Sequence, residues 1–160
     1  MSRKRRDPAA VTDFVERFAA DLVSAGMPRM PARVFVALLS ADEGRTAAEL
    51  SELLQASPAA ISGAIRYLEQ VDMTIRERRP GERRDVYRIG QDMWYEVIAN
   101  RDRLFERWNQ TLAQGVEVLG AGTPAGRRID ETRRFFDFAR VEMPAMVARW
   151  RKLQNRNSRG

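Results

Sequence analysis

Six arginines crowd one short stretch of the chain. In "IRERRPGERRDVYRI", residues 75–89, Arg76, Arg78, Arg79, Arg83, Arg84 and Arg88 flank a Pro80-Gly81 turn. Guanidinium groups at that density suit contact with phosphates, which they meet through charge-assisted, often bidentate hydrogen bonds. The rest of the chemistry-bearing set is thin. The chain has no cysteine and no histidine, which excludes disulfides, thiol redox sensing, Cys or His zinc sites and every triad that uses imidazole as its base. Carboxylate pairs alone could run a glycosidase-like reaction, but the acids here are scattered along helix faces beside arginines, where ion pairing is their ordinary role. No nucleophile comes with a base. The expectation is a protein that is not an enzyme and that needs no cofactor or metal.

The charge points the same way. Lys and Arg total 28 against 22 Asp and Glu, giving a net charge of +6 and a pI near 10.6 in 160 residues. Such a surface favours polyanions, either nucleic acid or an acidic membrane. The length allows one domain with a real core, or a small domain with long helical extensions. The N-terminal "MSRKRRDPAAV" runs into Asp7 and Pro8 instead of an apolar stretch, unlike a signal peptide, and the longest apolar run, "VFVALL", is far short of the roughly 20 residues that span a bilayer. A soluble, cytoplasmic protein with no membrane partner is expected.

Four helices precede the arginine stretch. Asp7 and Pro8 suit an N-cap and first-turn proline, and Val11, Phe14, Val15, Phe18 and Leu22 recur at helical spacing up to Gly26, predicting a helix over 8–25. "GMPRMP" reads as an elbow, after which Val34, Phe35, Leu38 and Leu39 mark a strongly buried helix ended by "SADEG". Thr46 and Glu49 have capping-box spacing and open a third helix. "QASP" breaks it, and Ser57 with Pro58 caps a fourth through about residue 71. In this fourth helix Ile61, Ala64, Ile65, Leu68 and Val71 form one buried stripe, leaving Ala59, Ala60, Ser62, Gly63, Arg66 and Tyr67 outward. A solvent face normally collects Glu and Lys. Ala, Ser and Gly suit either close approach to a ligand or an ordinary packing face.

The arginine stretch itself has β-branched or aromatic residues at alternate positions on both sides of Pro80-Gly81, which predicts an antiparallel hairpin with a loop of four or more residues. Beyond Gly90, Trp94, Val97, Ile98, Phe105, Trp108, Leu112, Val116 and Leu119 predict a helix over 91–118. "GAGTPAG" interrupts it, "RIDETRRFFDFARVEMPAMVARWRKL" is helical again with a break or kink expected at Pro144, and "QNRNSRG" reads as disordered.

Three helices followed by a basic hairpin make a winged helix-turn-helix, so the expected fold is mainly α with a small β-hairpin and long N- and C-terminal dimerisation helices. The organisation expected is a basic disordered tail over 1–7, a helix contributing to dimerisation over 8–29, a DNA-binding domain over 30–90, dimerisation helices over 91–154 and a disordered tail over 155–160. The 57–71 helix would enter the major groove of double-stranded DNA while the hairpin reaches the minor groove or phosphates. The DNA-contacting set is then Ser57, Ala59, Ala60, Ser62, Gly63, Arg66, Arg79, Arg83 and Arg84. Ser57 is chiefly a cap that can also sit beside a phosphate. Arg66 is either a surface charge or a phosphate or guanine contact, and the Arg3–Arg6 run reads as a solvated tail adding nonspecific affinity.

The segments "GMPRMPARVFVALL", "TAAELSELLQASPAAISGAIRYLEQ" and "ERRPGERRDVYRI" resemble the MarR superfamily of bacterial transcriptional regulators, specifically its GbsR-like branch, and "FFDFARVEMPAMVARW" is similar to that branch's C-terminal helix. The resemblance covers roughly residues 20 to 152. It implies a homodimer on a pseudo-palindromic operator. It also implies that Arg84, and then Arg83, stands at the wing tip, since Glu82-Arg83-Arg84 occupies the place of the family's Asp-x-Arg. This chain has Asp72-Met73 where the family often has Gly-Leu, and Ile89-Gly90 where it often has Leu-Thr.

A dimer is also expected from surplus apolar surface. Phe14, Phe18, Trp94, Trp108, Phe135, Phe136, Phe138 and Trp150 exceed what a small winged module can cover, although a long intramolecular helical hairpin would bury some of them. Some members of the superfamily release DNA on binding a small molecule, and the branch includes choline-responsive regulators. An effector of unknown identity is therefore a candidate partner, and the tryptophans could stack on a quaternary ammonium, although aromatics at helical spacing are more often core. The competing readings are a nonspecific nucleoid- or RNA-associated basic protein and a helical interaction protein without nucleic acid.

Overall fold

The computed structural model describes residues 7–78, 81 and 83–157. It divides into two units, residues 1–93 and 94–160. The basic run Arg3–Arg6 and Arg79 fall outside the described residues.

The first unit begins with α1 (Pro8–Ser24), whose N-cap Asp7 accepts a hydrogen bond from the Ala9 amide. Next, α2 (Arg29–Leu39) starts earlier than the elbow reading implied, because Pro31 falls in its first turn, where no intrahelical N–H is needed. Pro31, Ala32 and every residue from Val34 to Leu38 are buried. A helix apolar nearly all round must lie at the centre of its unit, and α2 touches α1, α3, α4 and the sheet. α3 (Ala47–Leu54) has the expected capping box, with Thr46 Oγ1 accepting from the Glu49 amide at 3.2 Å and Glu49 Oε2 accepting from the Thr46 amide at 2.7 Å. α4 (Pro58–Gln70) buries Ile61, Ala64, Ile65 and Leu68 against this body. Val71, expected in the stripe, is instead the C-cap and only half-buried.

The hairpin is larger than expected. A two-residue strand, β1 (Arg45–Thr46), pairs with β3 (Asp85–Arg88), which pairs in turn with β2 (Ile75–Arg78), so the sheet has three antiparallel strands in the order β1-β3-β2. Ile75 lies opposite Arg88 and Arg78 opposite Asp85. Burial does not alternate along the strands as the sequence suggests. β2 is exposed throughout, while β3 buries both Val86 and Tyr87, because a central strand on a small domain is covered on both faces. Gly44 makes the third strand possible, since a Cβ there would collide with Val86 Cγ1. The capped helix pair and the sheet together form a winged helix-turn-helix.

The second unit contains most of α5 (Met93–Leu119) and all of α6 (Pro124–Asn157). α6 starts ahead of the expected Arg127-Arg128, because Thr123 caps it by accepting from the Gly126 amide at 3.0 Å, the same Ser/Thr-Pro grammar as Ser57-Pro58. It is helical across Pro144 and on to Asn157, so the expected break, as distinct from a kink, is not seen. Proline removes only one hydrogen bond, at a cost of about 3 kcal/mol. Ala139 and Val147, buried on either side of it, hold the helix in place. α5 and α6 are joined by Phe105 against Phe136, ring centroids 4.8 Å apart, by Trp108 against Phe136 at 5.2 Å and by Arg140 Nε donating to Asp102 at 2.9 Å. Asn109 donates to Asp137 within the same contact. No helix among the described residues is long and apolar enough to cross a membrane.

Candidate nucleic-acid interface

The turn between α3 and α4 is held from behind. Gln55 takes the left-handed conformation at φ 49°, and Ser51 Oγ donates to the Ala56 carbonyl at 2.5 Å. Arg33 of α2 donates to the Leu54 carbonyl at 3.0 Å and grips Glu16 of α1, with Nε at 2.9 Å and Nη2 at 2.6 Å from the carboxylate. One guanidinium, with 18% of its side chain exposed, thus satisfies an otherwise open helix-end carbonyl and ties three helices to the turn. Sequence reading missed Arg33, since partners 17 and 21 residues away leave no local pattern.

α4 follows with its N-terminus open. Ser57 Oγ accepts from the Ala60 amide at 3.2 Å and Pro58 occupies the first turn. Ser57, Ala59, Ser62, Gly63 and Arg66 are all exposed, while Ala60 and Tyr67 are half-exposed. The structure therefore brings every α4 residue of the expected set to one outward face. Nothing lies within 4 Å of where a Cβ on Gly63 would stand, so no packing inside the chain calls for glycine there. Beside this face is a cleft of about 600 Å³ lined by Ala47, Ala48, Ser51, Ala56, Pro58 and Ser62, with the longer Glu52 and Gln55 also at its edge.

The arginines of the hairpin sort into two groups. Arg76 makes a fork to Glu69 at the end of α4 (Nε to Oε1 2.9 Å, Nη2 to Oε2 3.1 Å), approaches Asp85 at 3.7 Å and stands 5.8 Å from the centre of the Tyr87 ring. The hydrogen bond to Glu69, followed by the charges of Tyr87 and Glu69, holds its pKa above the ordinary value. Arg78 pairs with Asp85 at 3.2 Å and Arg88 Nε with Glu77 at 2.7 Å. Those three are committed within the protein. Arg83 and Arg84 are exposed in the connection between β2 and β3 and, like Arg66, have no ion pair among the described residues. Local pattern does not separate the paired arginines from the open ones, because the acids that neutralise them lie seven to eleven residues away.

Asp72, where the resembled family often has glycine, has φ 56°. Aspartate tolerates the left-handed region better than most side chains, so the turn from α4 into the sheet survives the change.

Residues 92–154 match the sequence model of the "MmpR5-like MarR family transcriptional regulator". The match covers α5 and most of α6, less than half of the chain. A solved structure described as that of a transcriptional regulator is 25% identical, covers 89% of this chain and 99% of its own, and superposes with a TM-score of 0.80. The transcriptional regulator Tm0710 from Thermotoga maritima is 15% identical over 95% of this chain and 94% of its own, at a TM-score of 0.42 too low to add to the argument. No curated protein matches the chain significantly. The chain is a winged helix-turn-helix protein, similar by fold along nearly its whole length to a transcriptional regulator and by sequence in its last two helices to MarR-family transcriptional regulators, which are not enzymes.

Proposed function

We propose that the protein is a cytoplasmic, homodimeric, sequence-specific DNA-binding transcriptional regulator of the GbsR-like branch of the MarR superfamily. Each α4 lies in a major groove of a pseudo-palindromic operator, and each wing reaches the adjacent minor groove through Arg83, Arg84 and Arg79. The observation that carries the reading is the pairing of a capped helix bearing an exposed face of Ala59, Ser62, Gly63 and Arg66 with a wing whose Arg83 and Arg84 are exposed and have no ion pair among the described residues. B-DNA's major groove is about 12 Å wide and accepts an α-helix. Short side chains let the backbone approach the base edges, and Arg66 supplies the charge and donors.

Dimerisation follows from what one chain leaves uncovered. Phe135 and Phe138 are each 62% exposed and Trp150 53%, and burying what remains of each against a second copy contributes roughly half of the about 1.5–3 kcal/mol that full burial of a large apolar side chain gives. Two heads one helical turn apart, roughly 34 Å, then match two half-sites. A small-molecule effector fits the reading but is not required by it. Phe105, Trp108 and Phe136 pack on one another, which leaves no open box for a quaternary ammonium among them.

The test is footprinting of the protein on DNA upstream of its own gene, with gel-shift competition by scrambled duplex and by single-stranded RNA. Two protected half-sites about one turn apart, resistant to both competitors, are expected. Equal affinity for the scrambled duplex would leave the nonspecific nucleoid reading in its place.

A further inference from the structure

Arg76 is the most fully committed guanidinium of the wing among the described residues. It is half exposed, in a position where an unneutralised arginine would face any polyanion bound along α4 and the wing, yet it is spent on protein partners. Its fork to Glu69 fastens the last turn of α4 to β2, and its contact with Asp85 fastens β2 to the first residue of β3. Asp85 directly follows Arg84 and also takes Arg78 at 3.2 Å. A carboxylate beside Arg83 and Arg84 would otherwise pair with them and repel phosphate. Two other guanidiniums occupy it instead.

The geometry points to Glu69, Arg76 and Asp85 as a positioning clamp that sets the direction in which the wing's open arginines leave the sheet relative to α4, and so couples wing contact to major-groove contact. The DNA half of this inference rests on the proposed function; the mechanical half does not. Arg rather than Lys is required, since only a planar fork can hold both oxygens of Glu69 while lying near the Tyr87 ring.

The clamp and simple electrostatics predict opposite outcomes for Glu69→Gln. Removing an acid beside a polyanion site strengthens binding if charge alone matters. If the clamp positions the wing, affinity for the footprinted site falls about threefold to tenfold, scrambled-duplex affinity stays level or rises, and protection is lost at the flanks but not at the centre of each half-site. Arg76→Lys, which keeps the charge and loses the fork, behaves the same way. Thermal midpoints stay close to wild type, because exposed pairs add little stability. In the free protein, amide hydrogen exchange over 75–78 and 85–88 is faster in both variants while α2 is unchanged. Wild-type exchange in the wing of Glu69→Gln overturns the clamp, and so does unaltered flank protection despite a loosened wing. A wild-type protein without preference for any duplex removes the proposed function, and with it the DNA coupling of the clamp, while the exchange data still decide whether Glu69 holds the wing.

Discussion

Two helices leave unusual faces in water, and they differ in bulk. α4 exposes Ala59, Ser62 and Gly63; α6 exposes Phe135 and Phe138 at 62% each and Val141 at 69%. Neither set is what a solvent face normally carries. A major groove about 12 Å wide accepts a helix, and short side chains let that helix's backbone come close to the base edges. Against another helix, large apolar side chains interdigitate with ridges and grooves of their own kind. Side-chain volume on an uncovered face, more than polarity, therefore indicates which sort of partner that face suits.

The largest effect is expected from making the bulky face polar. Phe138→Glu adds a charge to a side chain already mostly in water, so the single chain folds normally. The two-fold pairing is lost, sedimentation shows a monomer, and affinity for a palindrome falls on the order of 10²- to 10⁴-fold as the second half-site contact ceases to be intramolecular. A dimer that survives this change would break the comparison on the α6 side.

Making the small face bulky is the converse. Gly63→Leu meets open space within the chain, so stability holds or rises, while operator affinity falls about tenfold to a hundredfold, the equivalent of losing one or two base contacts at ~1–3 kcal/mol each. Gly63→Ala sharpens the point because its two readouts diverge. Helix propensity stabilises the free protein by up to about 1 kcal/mol, seen as a higher thermal midpoint, and DNA binding weakens in a titration. If both improve together, α4 does not approach its partner closely.

A smaller change is expected at the wing. Arg84→Ala weakens binding to all sequences alike and makes the slope of log affinity against log salt shallower by about one unit, as when one phosphate contact is lost. A change in base preference instead would mean that Arg84 reads sequence.

The smallest effect concerns stability at high pH. Burial, partly opposed by Arg76, raises the Tyr87 pKa above its ordinary value of 10.0. The folded state therefore favours the protonated phenol. This contribution is present in full below about pH 10 and is lost as pH rises through the folded-state pKa. Urea unfolding at stepped alkaline pH should show a decline that Tyr87→Phe lacks.

How much of this was legible depended on whether the governing rule was local. Thr46 with Glu49, and Ser57 with Pro58, announce helix starts because cap and amide are three residues apart, and the α4 face followed from periodicity. Thr123-Pro124 carries the same signal, but the glycines on either side of it make the segment look like a loop. β1 was illegible because two residues have no period; Gly44, needed where β3 passes close by, was its one trace. Pro144 misled because a local cost was outweighed by burial on either side. The α4 residues of the expected set lie on an outward face, as their periodicity suggests, and the ion-paired arginines of the wing separate from Arg83 and Arg84 only once Glu69, Glu77 and Asp85 have positions.

Arg33 has a further bearing on motion. By gripping Glu16 and the Leu54 carbonyl at once it removes the soft joint that a helix-turn-helix would otherwise have between its first helix and its turn. The position of α1 is thereby coupled, through a single guanidinium, to the turn from which α4 departs.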